Sequence, residues 1–184
     1  ALLTGGGDKP YALGIAAALT SVGICVDFIG SDDLQVPELL ANSRIHFLNL
    51  RGDQRAEAAL VTKVLRVFQY YVRLFRYVAK AEPNVFHILW NNKFEFFDRT
   101  LLMIYYRLMG KRLVITAHNV NASKRDSNDS WQNRLSLRVQ YALSDHIFVH
   151  TEEMKRALFS SFRVTGNKVT VIPFGINTTV PNTT

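Results

Sequence analysis

Cysteine is nearly absent from this sequence, which has Cys25 alone among its 184 residues. A single cysteine excludes an internal disulfide, and no group of cysteines and histidines has the spacing of a zinc site. Because Cys25 lies in an apolar, strand-like run, we expect its thiol to be buried and chemically inert. The reducing cytoplasm is therefore the expected compartment.

Long hydrophobic runs are also missing. No run approaches the roughly 18 apolar residues that a membrane-spanning helix requires. The N-terminus also lacks the charged segment followed by an apolar one that marks a secretory signal. Hydrophobic residues nevertheless make up 48% of the chain, and its mean hydropathy is close to zero. We therefore expect a globular domain with a full hydrophobic core rather than a disordered chain.

Acidic residues are missing from one long segment. No Asp or Glu occurs between Glu57 and Glu82, and the whole chain has a net charge of +7. An excess of positive charge indicates an anionic partner, such as a nucleic acid, a membrane or a small ligand. The segment itself contains five basic residues: Lys63, Arg66, Arg73, Arg76 and Lys80.

Four of these basic residues recur at intervals of three or four together with Tyr70 and Tyr77, which predicts one outward stripe of a long helix. They are Lys63, Arg66, Arg73 and Lys80. A basic amphipathic helix rimmed by aromatic rings is suited to an anionic membrane, so the five basic residues are candidate membrane contacts. The alternative is a sheet-covering helix with a solvated basic face. We expect no nucleic acid, because the sequence contains no motif of a known nucleic-acid-binding fold.

Apolar, strand-like runs alternate with helical patterns along the chain. The predicted strands are residues 1–4, 26–29, 45–50, 85–90, 113–117, 147–150 and 169–172. The predicted helices are residues 9–21, 54–81, 94–109, 131–143 and 152–162. This alternation predicts an α/β fold, a doubly wound, Rossmann-like three-layer domain with a mainly parallel sheet, over residues 1–177.

Ligands of such a sheet bind where the strands end at their carboxyl edge. The segments that follow the predicted strands are residues 5–8, 30–33, 51–53, 91–93, 118–121 and 151–153. The candidate site residues among them are Gly5, Gly6, Gly7, Asn91, His118, Asn119, Thr151 and Glu152. The three glycines follow a strand and open a helix, so their backbone could face an anion. Pro10 stands where a dinucleotide fingerprint has its third glycine, and no Walker lysine follows, so we expect neither NAD nor ATP. A tight turn with close helix–strand packing remains the alternative.

Two of these segments carry a more specific signal. Residues 169–177, Val-Thr-Val-Ile-Pro-Phe-Gly-Ile-Asn, resemble the V-x-V-I-P-N-G-I-D segment that closes the first domain of retaining GT-B glycosyltransferases of family 4. Phe174 and Asn177 replace the asparagine and aspartate that are commoner there. Thr116-Ala117-His118-Asn119 resembles the T-x-H-D/N segment of the same family. The glycine loop, the polar turn at Asn91 and the Thr151–Glu152 pair also have counterparts in it.

The resemblance implies that His118 reaches the transferred sugar and is the catalytic candidate. It also implies that the other seven strand-end residues contact substrate. The expected function is the acceptor-binding domain of a hexosyltransferase that moves a sugar, with retention, from a nucleotide-sugar to a glycan or lipid-linked acceptor in polysaccharide biosynthesis. No cofactor is expected. Residues 178–184 would begin a hinge to a second domain that binds most of the donor, so this chain alone would be inactive.

A different class stays open beside this one, namely a non-catalytic α/β domain that binds an anionic membrane or nucleic acid. The remaining histidines carry less information. We expect His46, His87 and His150, which lie in apolar strand-like runs, to be satisfied core residues.

Overall fold

A computed structural model describes residues 1–55, 57–92, 94–127 and 129–173. The described residues form a sheet of seven strands, all parallel, in the order β3-β2-β1-β4-β5-β6-β7. The strands are β1 (Leu2–Leu3), β2 (Val26–Gly30), β3 (Ile45–Asn49), β4 (Val85–Ile88), β5 (Arg112–Thr116), β6 (His146–Val149) and β7 (Val169–Val171). The predicted Rossmann-like fold is confirmed. Residues 174–177 of the predicted closing segment, and the predicted hinge, lie outside the described residues.

Helices connect successive strands. They are α1 (Lys9–Ser21), α2 (Pro37–Leu40), α3 (Leu60–Lys80), α4 (Glu95–Phe97), α5 (Met103–Leu108), α6 (Ala122–Arg125), α7 (Trp131–Leu143) and α8 (Glu152–Phe162). A π-helical turn, Asp98–Leu102, joins α4 to α5. The bounds of α1, α7 and α8 are those predicted, whereas α3 begins at Leu60 instead of residue 54.

Two hydrophobic clusters cover the two faces of the sheet. Leu2 belongs to the cluster that α1 and α2 complete, and Leu3 to the cluster that α3, α5, α7 and α8 complete. Neighbouring side chains of a strand point to opposite faces, so these two leucines contribute to both layers of the core. The three-layer arrangement follows from this alternation.

Strand β1 is the topological switch point of the sheet. It pairs with β2 on one side and with β4 on the other. Chain connections run away from β1 in both directions, which opens a crevice outside the carboxyl ends of β1 and β4. The segments that line this crevice are the glycine loop (Gly5, Gly6 and Gly7) and the turn from Leu89 to Asn92.

Cys25 corrects one expectation, because its thiol is exposed. Strand β2 begins one residue later, at Val26, and Cys25 still belongs to the turn that leaves α1 through Gly23, where φ is +88°. The apolar run that contains Cys25 therefore becomes buried only at Val26, where β2 begins. None of the helices in the described part of the chain combines the length and hydrophobicity needed to cross a bilayer.

Candidate active site at the carboxyl edge of the sheet

The side chains of His118 and Trp90 form the centre of the candidate site. Trp90 follows β4 and His118 follows β5, and their rings stack with centroids 4.1 Å apart and planes 3° from parallel. Tyr11, from the first turns of α1, packs edge-on against both rings, 4.8 Å from His118 and 5.6 Å from Trp90. Contacts on its face and at its edge therefore fix the orientation of the His118 imidazole.

His150 is the fourth member of this group, although the sequence predicted a core residue. Its Nε2 atom lies 3.0 Å from Nδ1 of His118, and its Nδ1 atom lies 3.0 Å from the carbonyl oxygen of Ile172. A carbonyl oxygen only accepts, so Nδ1 of His150 carries the proton and Nε2 accepts from Nδ1–H of His118. We refer to Tyr11, Trp90, His118 and His150 as the histidine cluster.

The imidazole of His118 is neutral at physiological pH. Burial, and to a smaller extent the neighbouring His150, lower its pKa to about 4. His87 lies in the core, as predicted. Its Nε2 atom is 2.9 Å from the hydroxyl of Thr116, and burial lowers its pKa to about 4 as well.

The glycine loop packs too closely on its neighbours to tolerate side chains. A Cβ atom on Gly5, where φ is +58°, would lie 2.0 Å from the carbonyl oxygen of Trp90, and one on Gly7 would lie 2.0 Å from its indole ring. A Cβ atom on Gly6, where φ is +80°, would lie 2.5 Å from the guanidinium of Arg51. These three glycines therefore let the loop pass between Trp90 and Arg51.

The first turn of α1 already holds a carboxylate. Asp8 is its N-cap, and Oδ1 of Asp8 accepts a hydrogen bond from the backbone N–H of Tyr11 at 2.9 Å. The positive end of the helix dipole is thereby neutralised in part. An anionic ligand at this helix terminus would meet the Asp8 charge.

Three of the predicted substrate contacts line one cavity of about 340 Å³. These are Asn91, His118 and Asn119, which follow β4 and β5. Oδ1 of Asn91 accepts from Nε2 of Gln140 at 2.9 Å, and Oδ1 of Asn119 accepts from the backbone N–H of Asn121 at 3.1 Å. Both amides are thus held in place, and they form part of the polar lining of the cavity.

Thr151 and Glu152 begin α8, where their observed contacts are those of a helix cap. The hydroxyl of Thr151 accepts from the backbone N–H of Met154 at 3.1 Å, and Glu152 is an exposed acid in the first turn. The next acid, Glu153, lines a separate cavity of about 610 Å³ between α7 and α8, which Asn119 also borders. Substrate contact by Thr151 and Glu152 stays a prediction.

A second cavity, which we call the basic cleft, opens on the other side of the glycine loop. Its volume is about 260 Å³. Its charged and polar lining includes Arg51, Asp53, Arg55, Lys63, Arg66 and Asn92. Oδ2 of Asp53 accepts from Arg55 at 2.8 Å and from Arg66 at 3.0 Å. Hydrogen bonds from the backbone and side chain of Arg55 lower the pKa of this carboxyl group.

The predicted basic stripe of α3 is divided between different surroundings. Arg73, Arg76 and Lys80 are exposed, as expected. Lys63 and Arg66 turn toward the basic cleft, and only 22% of the Arg66 side chain is exposed. The two tyrosines of the stripe face inward: Tyr70 is buried, and the hydroxyl of Tyr77 donates to Asp27 at 2.7 Å.

Bulky apolar residues instead occupy an exposed side of the first half of α3. We call this surface the apolar face, and it consists of Leu60, Val61, Val64, Leu65 and Phe68. Phe68, for example, is 67% exposed. The sequence pattern predicted one buried and one exposed side for α3. The structure instead gives this helix a buried side, a basic side and an exposed apolar side, because spacing alone does not show which arc the sheet covers.

Sequence reasoning missed Trp90 and Tyr11 as site residues, whereas Arg51 was among the residues that follow the predicted strands but was given no role. Trp90 ends the predicted strand 85–90, so its position at the carboxyl edge was a usable signal. Tyr11 had no such signal, because its packing against His118 depends on the direction in which α1 leaves the sheet. Among the described residues, no group of three or more His, Cys, Asp or Glu side chains could hold a metal ion.

Comparison with known proteins agrees with this geometry. Residues 5–180 match the family model described as Glycosyltransferase Family 4. The solved structure of LpCGTa in complex with UDP superposes on 97% of this chain with a TM-score of 0.61 and 13% sequence identity. The match covers 54% of the LpCGTa chain, so the present sequence spans about half its length. No curated protein matches in sequence. At this identity the structural likeness establishes the fold alone.

Proposed function

The chain belongs to glycosyltransferase family 4, and we propose that it is the acceptor-binding domain of an enzyme that transfers a hexose, with retention, from a nucleotide-sugar to a glycan or lipid-linked acceptor. The histidine cluster, at the switch point of the sheet, is the observation that carries this proposal. A fixed, neutral imidazole beside a polar cavity is suited to hydrogen-bonding a sugar hydroxyl. Polysaccharide biosynthesis is the process in which such an enzyme would act.

His118 contributes mainly by preorganisation. Trp90 and Tyr11 hold the ring from two directions, and His150 holds its Nδ1–H. A hydroxyl of the transferred sugar therefore meets an imidazole that needs no reorientation when charge develops during transfer. Its lowered pKa keeps the ring neutral, so the site does not depend on an imidazolium.

A second domain would supply most of the donor site. Support comes from the match to about half of the LpCGTa chain, which was solved with UDP, the nucleotide that a UDP-sugar leaves behind. In this proposal the nucleotide-sugar is a co-substrate, and neither a metal nor an organic cofactor takes part. The 184 residues are then expected to bind acceptor without catalysing transfer by themselves.

Replacing His118 tests the proposal most directly. In the full-length protein, His118→Ala should lower sugar transfer by about 10²-fold, the range expected when one preorganised hydrogen-bonding group is lost. His46→Ala is the matched control, because that histidine lies exposed on the edge strand β3 beside Asp27. Sugar transfer from a panel of nucleotide-sugars is measured by released nucleoside diphosphate. Near-native transfer by His118→Ala, or measurable transfer by the 184 residues alone, would contradict the proposal.

The apolar face supports a second function, peripheral contact with an anionic membrane on its cytoplasmic side. Its five residues are exposed, and Arg73, Arg76 and Lys80 are exposed on the same helix. Apolar side chains next to cations characterise helices that lie in a membrane interface. Compared with the sequence-based hypothesis, the contact now depends on the apolar face as well as on the basic residues.

Vesicle co-sedimentation tests the membrane contact. The full-length protein should bind vesicles that contain anionic lipid, and it should dissociate as salt rises, because exposed charges are screened over about 10 Å at 0.1 M salt. Phe68→Ser should weaken binding about tenfold through lost apolar burial. Arg73→Gln with Arg76→Gln should weaken it further, at about 1 kcal/mol for each charge. Arg44→Gln, an exposed site on another surface, is the control. Equal binding of all variants would exclude this contact, and salt-sensitive binding to nucleic acid alone would favour the non-catalytic alternative.

A further inference from the structure

The basic cleft contains more positive charge than its carboxylate can balance. Four of its lining side chains are cationic, and Asp53 is the carboxylate among its lining residues. Asp53 is already shared between Arg55 and Arg66. Within the described ranges, Arg51 and Lys63 take part in no ion pair. The lining of the cleft therefore carries an excess of positive charge.

Arg51 provides the clearest sign of a missing partner. Its Nη1 atom is buried and has no hydrogen-bond partner among the described residues. The guanidinium carbon lies over the ring of Tyr70, 5.7 Å from its centroid. A cation–π contact satisfies no N–H donor, so Nη1 keeps its hydrogen-bonding capacity. Buried donors without acceptors are costly, and an oxyanion is the ligand that would satisfy them most strongly.

Asn92 adds an acceptor to the same cleft. Its Oδ1 atom is buried and, within the described part of the chain, has no hydrogen-bond partner. The position of this residue is fixed, because its backbone N–H donates to the buried carboxylate of Asp98 at 2.7 Å, which also accepts from Tyr71 at 2.7 Å. The cationic donors of the cleft suit a phosphate ester, and the Asn92 acceptor suits a hydroxyl group next to that phosphate.

The glycine loop separates the basic cleft from the histidine cluster. Arg51 contacts this loop at Gly6, while Gly5 and Gly7 pack against Trp90, which stacks on His118. An elongated ligand could therefore reach both places along the carboxyl edge of the sheet. Lys63 and Arg66 also share the helical turns of the apolar face, so a phosphate at a membrane surface would lie close to the cleft.

We propose that the basic cleft binds a phosphate group of the acceptor, with Arg51 and Lys63 as the contacts that select an anionic acceptor. This inference rests on the proposed transfer function, because only an enzyme has an acceptor to select. A phosphate could also come from the donor. The acceptor is favoured because the cleft lies on the β3 and α3 side of the glycine loop, away from the cavity that contains His118.

Titration with inorganic phosphate tests the site without any assumption about the reaction. Calorimetry on the full-length protein should show saturable binding. Arg51→Gln should weaken it about tenfold, the value of one charged hydrogen bond. Lys63→Gln should also weaken it, and this second variant guards against a folding defect in the first. Arg44→Gln, at an exposed residue outside the cleft, should leave it unchanged. Absent phosphate binding, or equal binding by all variants, would overturn the site.

Steady-state kinetics then distinguish the two sources of phosphate. Inorganic phosphate should compete with the acceptor and not with the nucleotide-sugar. Arg51→Gln should raise the KM for acceptor about tenfold while the KM for donor stays constant. A raised donor KM, with phosphate competing against the nucleotide-sugar, would overturn the assignment to the acceptor. If the protein transfers no sugar at all, the proposed function fails, while the calorimetric titration still decides whether the cleft binds phosphate.

Discussion

The histidine cluster and the basic cleft lie on opposite sides of one glycine loop, yet they have opposite electrostatic character. In the cluster, aromatic rings and burial keep the His118 imidazole neutral. In the cleft, Arg51, Lys63 and their neighbours stay charged around a single aspartate. The same sheet edge thus provides one uncharged site, which orients a ligand, and one charged site, which attracts an anion. The difference comes from what packs on each side, not from the fold.

The glycine loop keeps these two environments apart while leaving both next to one ligand path. Its backbone passes within contact distance of Trp90 on one side and of Arg51 on the other. A loop with side chains would fill this space and push the two sites apart. Close packing therefore explains the three consecutive glycines, and direct contact between these glycines and a substrate stays a prediction.

The first prediction disrupts the glycine loop that separates the histidine cluster from the basic cleft. Gly5→Ala should lower the free energy of unfolding by about 3 kcal/mol, because overpacking costs about 1–3 kcal/mol and the left-handed backbone adds about 1–2 kcal/mol. The new Cβ atom would lie 2.0 Å from a backbone oxygen of Trp90, at a residue where φ is +58°. Urea denaturation followed by circular dichroism measures the change.

Gly14→Ala is the matched control for this effect. Gly14 lies inside α1, and nothing lies within 4 Å of the position that its Cβ atom would occupy. Alanine should stabilise the helix there by about 1 kcal/mol relative to glycine. A similar change in the free energy of unfolding of both variants would show that the loop tolerates a side chain and that its close packing does not contribute to stability.

Elements that depend on local pattern could be read from the sequence. The bounds of α1, α7 and α8 follow from the caps at Asp8, Ser130 and Thr151, whose side chains accept hydrogen bonds from the first turn of each helix. The parallel strands follow from short apolar runs that recur between helices. Family resemblance added His118, which lies two residues beyond β5.

Features that depend on packing between distant segments could not be read in this way. His150 is 32 positions from His118, and its role follows from the parallel pairing of neighbouring strands. The surroundings of Arg66 and Phe68 depend on how α3 is rotated on the sheet. Spacing defines arcs on a helix, and only the sheet determines which arc is buried. For the same reason the basic cleft had no sequence signature beyond an excess of charge.

The second prediction concerns the histidine cluster, which is the neutral one of the two sites. His150→Ala removes the group that accepts Nδ1–H of His118 at 3.0 Å and leaves that donor without its partner. The loss of one such hydrogen bond should lower sugar transfer by the full-length protein about tenfold. This is a smaller loss than that expected for His118→Ala. Phosphate binding in the basic cleft should not change, because the glycine loop lies between the two sites. An equal loss in both measurements would mean that the sites are not separate.

The third prediction concerns pH. His118 and His87 have their pKa lowered to about 4 in the folded chain, whereas a histidine in an unfolded chain has a pKa near 6.5. Between these values the unfolded chain binds more protons, so the free energy of unfolding rises with pH from about 4 to about 6.5 and then levels off. Histidine resonances followed by NMR should show His118 neutral from pH 7.5 down to about 5, and urea denaturation should show stability falling over the same acidic range. Phosphate binding by the basic cleft should weaken as salt rises, because salt screens the charges of both partners. A titration midpoint for His118 near 6.5 would mean that its rings do not exclude water, and the contrast between a neutral and a charged site would then fail.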